Sequence, residues 1–217
     1  MNDLISKINE LLAYQSGLIL TEANVIEGEL YVNRQYDSFW VNRKFQIKIE
    51  LNKENVFFSK VYDKEGYVKR TYPHINPSGN FCLATEIDLL LASIKTDSLV
   101  AFCRDFIEPF LFSYEYYKSY GIYPFDDRTH ADKGVLESYI EITQIHDEHK
   151  LLDFLRTLIK NTSQYGNHAF CPCGSGKKIR ACHMSFVQML LHKPFFNQVK
   201  KDVGVIEKYV KHKRTTK

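Results

Sequence analysis

Four side chains near the end of the chain restrict its folding most. Cys171 and Cys173 are separated by Pro172, eight residues follow, and then Cys182 and His183 stand side by side. Three sulfurs and one ring nitrogen at this spacing form a closed Cys₃His set, suited to one tetrahedral zinc ion and leaving no position for a substrate. Gly174-Ser175-Gly176 permits the tight turn that brings the two pairs together. Lys177, Lys178 and Arg180 offset the charge of three thiolates. The bland alternative is a group of unliganded or redox-active cysteines. His168 is close by but surplus to the set.

This Cys171–His183 segment resembles the SEC-C motif, a short zinc module at the C-termini of bacterial proteins, and the resemblance implies a structural rather than catalytic metal.

The other concentrated signal lies upstream. Asn76-Pro77-Ser78-Gly79-Asn80 is a turn-forming run, and it delivers Cys82 between Phe81 and Leu83. A thiol is a strong nucleophile once part of it is thiolate. No cation stands immediately beside Cys82, so nothing in the sequence depresses its pKa. That suits a cysteine that receives an already activated acyl group, rather than one activated by an adjacent imidazolium. Read alone, Cys82 is equally a small buried apolar residue, and His74 a structural histidine.

His74-Ile75-Asn76, then Gly79, then Phe81-Cys82-Leu83 resembles the active-site signature of ubiquitin-conjugating enzymes: His-Pro-Asn, a short turn with Gly, an apolar residue, the catalytic Cys and Leu. The resemblance implies that Cys82 carries a thioester. It implies that the Asn76 amide steadies the oxyanion as an amine attacks, and that His74 holds the loop. Ile75 replaces the middle Pro, and the loop is about two residues shorter than in the eukaryotic enzymes, which points to a divergent bacterial branch. Further on, Asp126, Asp127, His130 and Gly134 before a helix resemble a His-containing stretch of bacterial conjugating-enzyme-like proteins. An acceptor lysine, with a pKa of about 10.4, must lose a proton to attack, and Asp126, Asp127 and His130 are candidates to orient and deprotonate it. The alternative is an Asp-rich helix cap with a solvated His.

The relatives implied by this resemblance attach the C-terminus of a cyclic-nucleotide synthase (a cGAS-like nucleotidyltransferase) to other molecules, in the antiphage operons termed CBASS. A protein donor with an activated C-terminus, either such a synthase or a ubiquitin-like protein, is therefore the expected partner. No Gly-rich ATP-binding stretch is present, so a separate activating enzyme is expected. Two other readings stand beside this one: a non-catalytic adaptor of the same fold, and a thiol hydrolase pairing Cys82 with His130.

The pattern of elements predicts an α+β chain. Leu4, Ile5, Ile8, Leu11 and Leu12 share a helical face, ended by Gly17. Leu18–Leu20 and Leu30–Val32 read as short strands, and Phe45, Ile47, Ile49 and Leu51 alternate with polar residues as a half-buried strand. Val56–Phe58 with Val61–Tyr62 reads as another strand, and Asp63–Gly66 as a turn. Leu99, Phe102, Cys103, Phe106 and Phe110 form one face of a later helix, making Cys103 a core thiol, and Pro109 is expected to kink or end that helix. The tyrosines from 114 to 123 read as packing or a partner surface. Helices are expected over 135–145 and 151–159, and two more around Val187 and after Pro194. The order of helix, antiparallel meander, active-site loop and C-terminal helices is that of the ubiquitin-conjugating fold, with a small zinc module appended. The expected division is a catalytic domain at 1–150, a helix and linker at 151–167, and a zinc knuckle with a helical basic tail at 168–217.

With 44% apolar residues among 217 the chain can build a core. No apolar run approaches the ~20 residues of a membrane span, and the N-terminus does not read as a signal peptide, so a cytoplasmic protein with no membrane partner is expected. Five cysteines, two of them as Cys-x-Cys, fit metal binding rather than disulfides. A net charge of +3 is too small to argue for a nucleic-acid partner.

Overall fold

The computed structural model describes residues 2–124, 132–161 and 165–215. They form an α+β protein with one antiparallel sheet of four strands in the order β1-β2-β3-β4. The strands are β1 (Leu18–Glu22), β2 (Val25–Tyr36), β3 (Phe39–Glu50) and β4 (Lys60–Asp63). The helices are α1 (Asn2–Tyr14), α2 (Glu86–Lys95), α3 (Leu99–Phe102), α4 (Glu108–Tyr120), α5 (Asp132–Thr143), α6 (Glu148–Asn161), α7 (Met184–Leu190) and α8 (Lys193–Thr215). No helix among the described residues is long and apolar enough to cross a membrane.

The chain divides into two compact units. One comprises residues 1–84 with 88–127, the other 85–87 with 128–217. The second unit therefore begins ahead of the boundary expected near residue 150. The reason lies in its packing: α8 lies against α5, α6 and α7, so α5 shares a core with the tail helices.

In the first unit, the alternation that marked β3 has its expected consequence. Phe45, Ile47 and Ile49 are buried and pair with Leu30, Gly28 and Ile26 across the ladder, while Lys44, Lys48 and Glu50 face outward among Glu29, Tyr62 and one another. α1 contributes Ile8 and Leu11, and the helical run from Leu99 contributes Phe102, Ile107, Leu111 and Phe112, to one core. Each such fully buried aliphatic or aromatic side chain contributes about 1.5–3 kcal/mol relative to exposure. Cys103 is buried in that core, as its helical face implied.

Two local expectations change. Val56–Phe58 is a 3₁₀ turn and not strand. The Asn55 side chain accepts the Phe57 N–H at 3.0 Å and the Ser59 hydroxyl donates to the Val56 carbonyl at 2.7 Å, and these local bonds replace ladder pairing. Pro109 does not end the helix. The helical path runs on through a π turn, Cys103–Ile107, in which the Glu108 N–H donates to the Cys103 carbonyl; Pro109 has no N–H to continue that pattern, and the Arg104 carbonyl accepts from the Arg34 guanidinium instead. The aromatic run rides on α4: Tyr114 is buried against Tyr67 and Tyr72, and Tyr116 packs edge-on to Phe39.

Candidate functional site

Two places bring together residues that the sequence singled out. The first is the loop after β4. Phe81 is held by its N–H, which donates to the Val61 carbonyl of β4 at 2.8 Å, and by its ring, which stacks on Phe110 at 4.2 Å. Ile75 and Phe81 form an antiparallel bridge. Between them the Asn76 N–H donates to the Asn80 carbonyl and the Gly79 N–H to the Asn76 carbonyl. Gly79 sits at φ +87°, a conformation that side chains resist.

Cys82 follows this small closed loop directly and is half-buried. Its N–H donates to the His74 carbonyl at 2.8 Å, so that backbone donor is already used. The Asn76 side-chain amide donates to the Phe81 carbonyl at 3.3 Å, and Asn80 donates to the same oxygen at 3.2 Å. Bonds of that length are weak, and the Asn76 amide keeps a second N–H. A donor is thus held one residue from the thiol, at a modest cost of release. The His74 ring lies 5.4 Å from that of Tyr72 and 5.3 Å from that of Tyr123. Burial pushes the Cys82 thiol above its usual range. It is a protonated thiol at neutral pH, with no depressed pKa of the kind expected from an adjacent imidazolium. Asp126, Asp127 and His130 lie outside the described residues.

The second place is the knuckle. The chain from Ala169 to Ile179 doubles back: Phe170 bridges Lys178, the Ile179 N–H donates to the Ala169 carbonyl, and the Cys171 N–H donates to the Lys177 carbonyl at 2.9 Å. Gly174 and Gly176 make the turn with φ of +80° and +71°. A 3₁₀ turn, Ile179–Ala181, then presents Cys182 and His183 to the first pair. The three Sγ atoms and one ring nitrogen all lie within 4.8 Å of one another. The shortest spacings are 3.2 Å from His183 Nδ1 to the sulfurs of Cys171 and Cys182, and 3.5 Å between those of Cys173 and Cys182. A tetrahedral ion with bonds of about 2.3 Å to sulfur and about 2.0–2.1 Å to nitrogen spans donor edges of roughly 3.5–3.8 Å. The shortest spacings lie within a few tenths of an ångström of those edges, and separations of up to 4.8 Å close to them with a movement of about 1 Å, so the four donors could hold one metal ion.

The far side of His183 supports that fit. Its Nε2 lies 2.7 Å from the Thr143 carbonyl at the end of α5. A carbonyl only accepts, so Nε2 carries the proton and Nδ1 presents its lone pair to the sulfurs, which is the tautomer a metal ligand needs. Phe154 of α6 packs against the imidazole at 4.8 Å. Without a metal, burial pushes the Cys171 thiol up to about 12. Burial acts on Cys173 in the same sense, but hydrogen bonds from the Ser175 hydroxyl and N–H and from the neighbouring thiols outweigh it and pull Cys173 down to about 6. His168 is exposed and stands outside the cluster. The backing of His183 by Thr143 and Phe154 carries no sequence signal, because both lie far from residue 183 along the chain.

No family model, curated protein or solved structure matches this chain.

Proposed function

We propose that the chain is an acyltransferase resembling ubiquitin-conjugating enzymes, with Cys82 as its thioester carrier. The reading is supported by the loop closed through Ile75 and Phe81, with Cys82 at its exit and the Asn76 amide bonded to the carbonyl of the preceding Phe81. In the first step the Cys82 sulfur attacks the thioester carbonyl of an activated donor and its proton goes to the departing carrier thiol. In the second an amine attacks the Cys82 thioester, an amide forms, and Cys82 leaves as thiolate while the one proton lost by the amine passes to a general base. A raised thiol pKa lowers the thiolate fraction and slows any attack by Cys82, but a thioester offers a better leaving group than an unactivated amide, so receipt from a thioester is the step this cysteine suits. The remaining N–H of Asn76 is the oxyanion donor for the second step. The amine's proton goes to Asp126, Asp127 or His130 in this scheme.

Zinc is the metal we assign to Cys171, Cys173, Cys182 and His183. A closed S₃N set supplies structural cross-linking. The donor in this reading is the C-terminus of a ubiquitin-like protein or of a cyclic-nucleotide synthase, activated by a separate enzyme, and the setting is bacterial antiviral defence in the cytoplasm. One observation favours a second reading, a binding adaptor: the burial that keeps Cys82 protonated also suits a packing thiol.

Reconstitution with the proteins encoded beside it separates the two. The wild type is expected to form a conjugate. Cys82→Ser is expected to form none, or to stall as an oxyester. Asn76→Ala is expected to charge Cys82 normally but to transfer about 10²–10³-fold more slowly. Unchanged partner binding by Cys82→Ser, with no conjugate from the wild type, would establish the adaptor.

A further inference from the structure

The net charge of +3 conceals an asymmetry. Residues 165–217 hold eleven Lys and Arg against two Asp and Glu, and the preceding residues hold eighteen against twenty-four. In the structure this excess is concentrated along α8. Lys193, Asn197, Lys200, Gly204, Lys208 and Lys211 are exposed at steps of three or four, with Lys201 beside Lys200. At ~1.5 Å per residue the stripe runs for roughly 27 Å. Of the helix's two acids, one is buried away from the stripe and the other reaches only Lys211 at its end. Asp202 is buried between Tyr139 and Gln198, and Glu207 pairs with Arg156 and Lys211. Lys193, Lys200, Lys201 and Lys208 form no ion pair among the described residues.

Gly204 is the second observation. It stands mid-helix, where glycine weakens a helix relative to almost any other residue. Nothing lies within 4 Å of the Cβ it lacks, so packing does not demand it. Its effect is a bare strip of backbone between Lys200, Lys201 and Lys208, where a ligand can approach the helix closely.

We propose that this stripe binds the phosphate backbone of nucleic acid. The chemistry of the stripe selects among polyanions. Protein interfaces are enriched in aromatic residues, Met and Arg and depleted in Lys, whereas this face is lysine with small or polar residues between. A helix lying in a membrane surface pairs its basic face with exposed large apolar residues, but Phe195, Val199, Ile206 and Val210 of α8 are all buried. A row of lysines with a notch for close approach matches a repeating phosphate charge, read without base contacts.

The test is fluorescence anisotropy of the full chain with a labelled mixed-sequence DNA duplex of about two turns, and with the same sequence as duplex RNA, from about 50 to 200 mM KCl. Binding at micromolar Kd with a log–log salt slope of about −3 to −4 is expected, from four phosphate contacts. The preferred duplex identifies the natural source. Combined Lys200→Glu, Lys201→Glu and Lys208→Glu is expected to weaken binding at least about tenfold and to flatten the slope. Gly204→Gln is expected to raise the melting temperature, because it improves the helix, and yet to weaken binding. Retained affinity in the triple variant, or displacement of the duplex by polyglutamate or phosphatidylserine vesicles at equal charge, would overturn the proposal. Full affinity in Gly204→Gln would overturn the close approach at that residue.

Discussion

At the scale of single residues, Glu108 shows how much the core tolerates when polarity is matched. It is buried directly after the π turn and receives Arg34 at 3.1 Å, Tyr14 at 2.7 Å, Gln15 at 3.3 Å and, more weakly, the Cys103 thiol at 3.9 Å. Gln15 also bridges to the backbone of Tyr31 in β2, so the cluster ties α1, β2 and α4 together. Glu108→Ala leaves the Arg34 charge without its partner. Water reaches the guanidinium, which is a third exposed, so the expected loss is about 2–4 kcal/mol, near the lower end for a broken buried pair. A urea midpoint unchanged from the wild type would contradict it. Tyr14 adds a pH signature. Burial, then its bond to the Glu108 carboxylate, pushes its phenol up to about 12. A folded pKa above the unfolded value of about 10 stabilises fully below pH 10 and is lost as pH rises towards 12. Tyr62 and Tyr67 are also raised, so the readout is a difference: the stability of the wild type should fall more steeply than that of Tyr14→Phe across pH 10–12. None of this cluster was legible in the sequence, since its members are scattered between residues 14 and 108 and no local pattern pairs them.

At the scale of elements, legibility followed the range of the causes. β3 was legible because its alternation is a property of neighbouring residues. The full extent of β2 was not, because Glu27, Glu29, Asn33 and Gln35 make it polar along one face and only pairing with β3 keeps it extended. Val56–Phe58 has the composition of a strand, and the capping bonds of Asn55 and Ser59 decide otherwise. The knuckle was legible in its four donors, which lie within thirteen residues, but not in the Thr143 carbonyl that orients His183. That bond makes a prediction about the element as a whole. A metal bound by the four donors would hold the turn at 171–183 against the end of α5 through His183. Cys171→Ser is therefore expected to abolish metal retention, from one zinc per chain to none, and to destabilise the second unit by several kcal/mol. Elemental analysis and a thermal melt check both. A variant that keeps its metal and its melting temperature would remove the site from this account.

At the scale of the whole molecule, the sequence supported an α+β chain with a Cys/His metal motif in its C-terminal part, and the structure has the α+β architecture and a cluster of those four side chains that could hold a metal ion. The division of the chain was less legible, because α5 precedes the apparent linker in sequence yet packs with α8 beyond it. In the reading we propose, the first unit carries an acyl group on Cys82. Intact-protein mass measurement, on protein co-expressed with its neighbouring gene products, tests it most directly. The account predicts an added mass on the peptide containing Cys82 that thiol reductant removes and that Cys82→Ala never acquires. Cys82 found unmodified throughout, while the co-expressed partners remain bound, would contradict it.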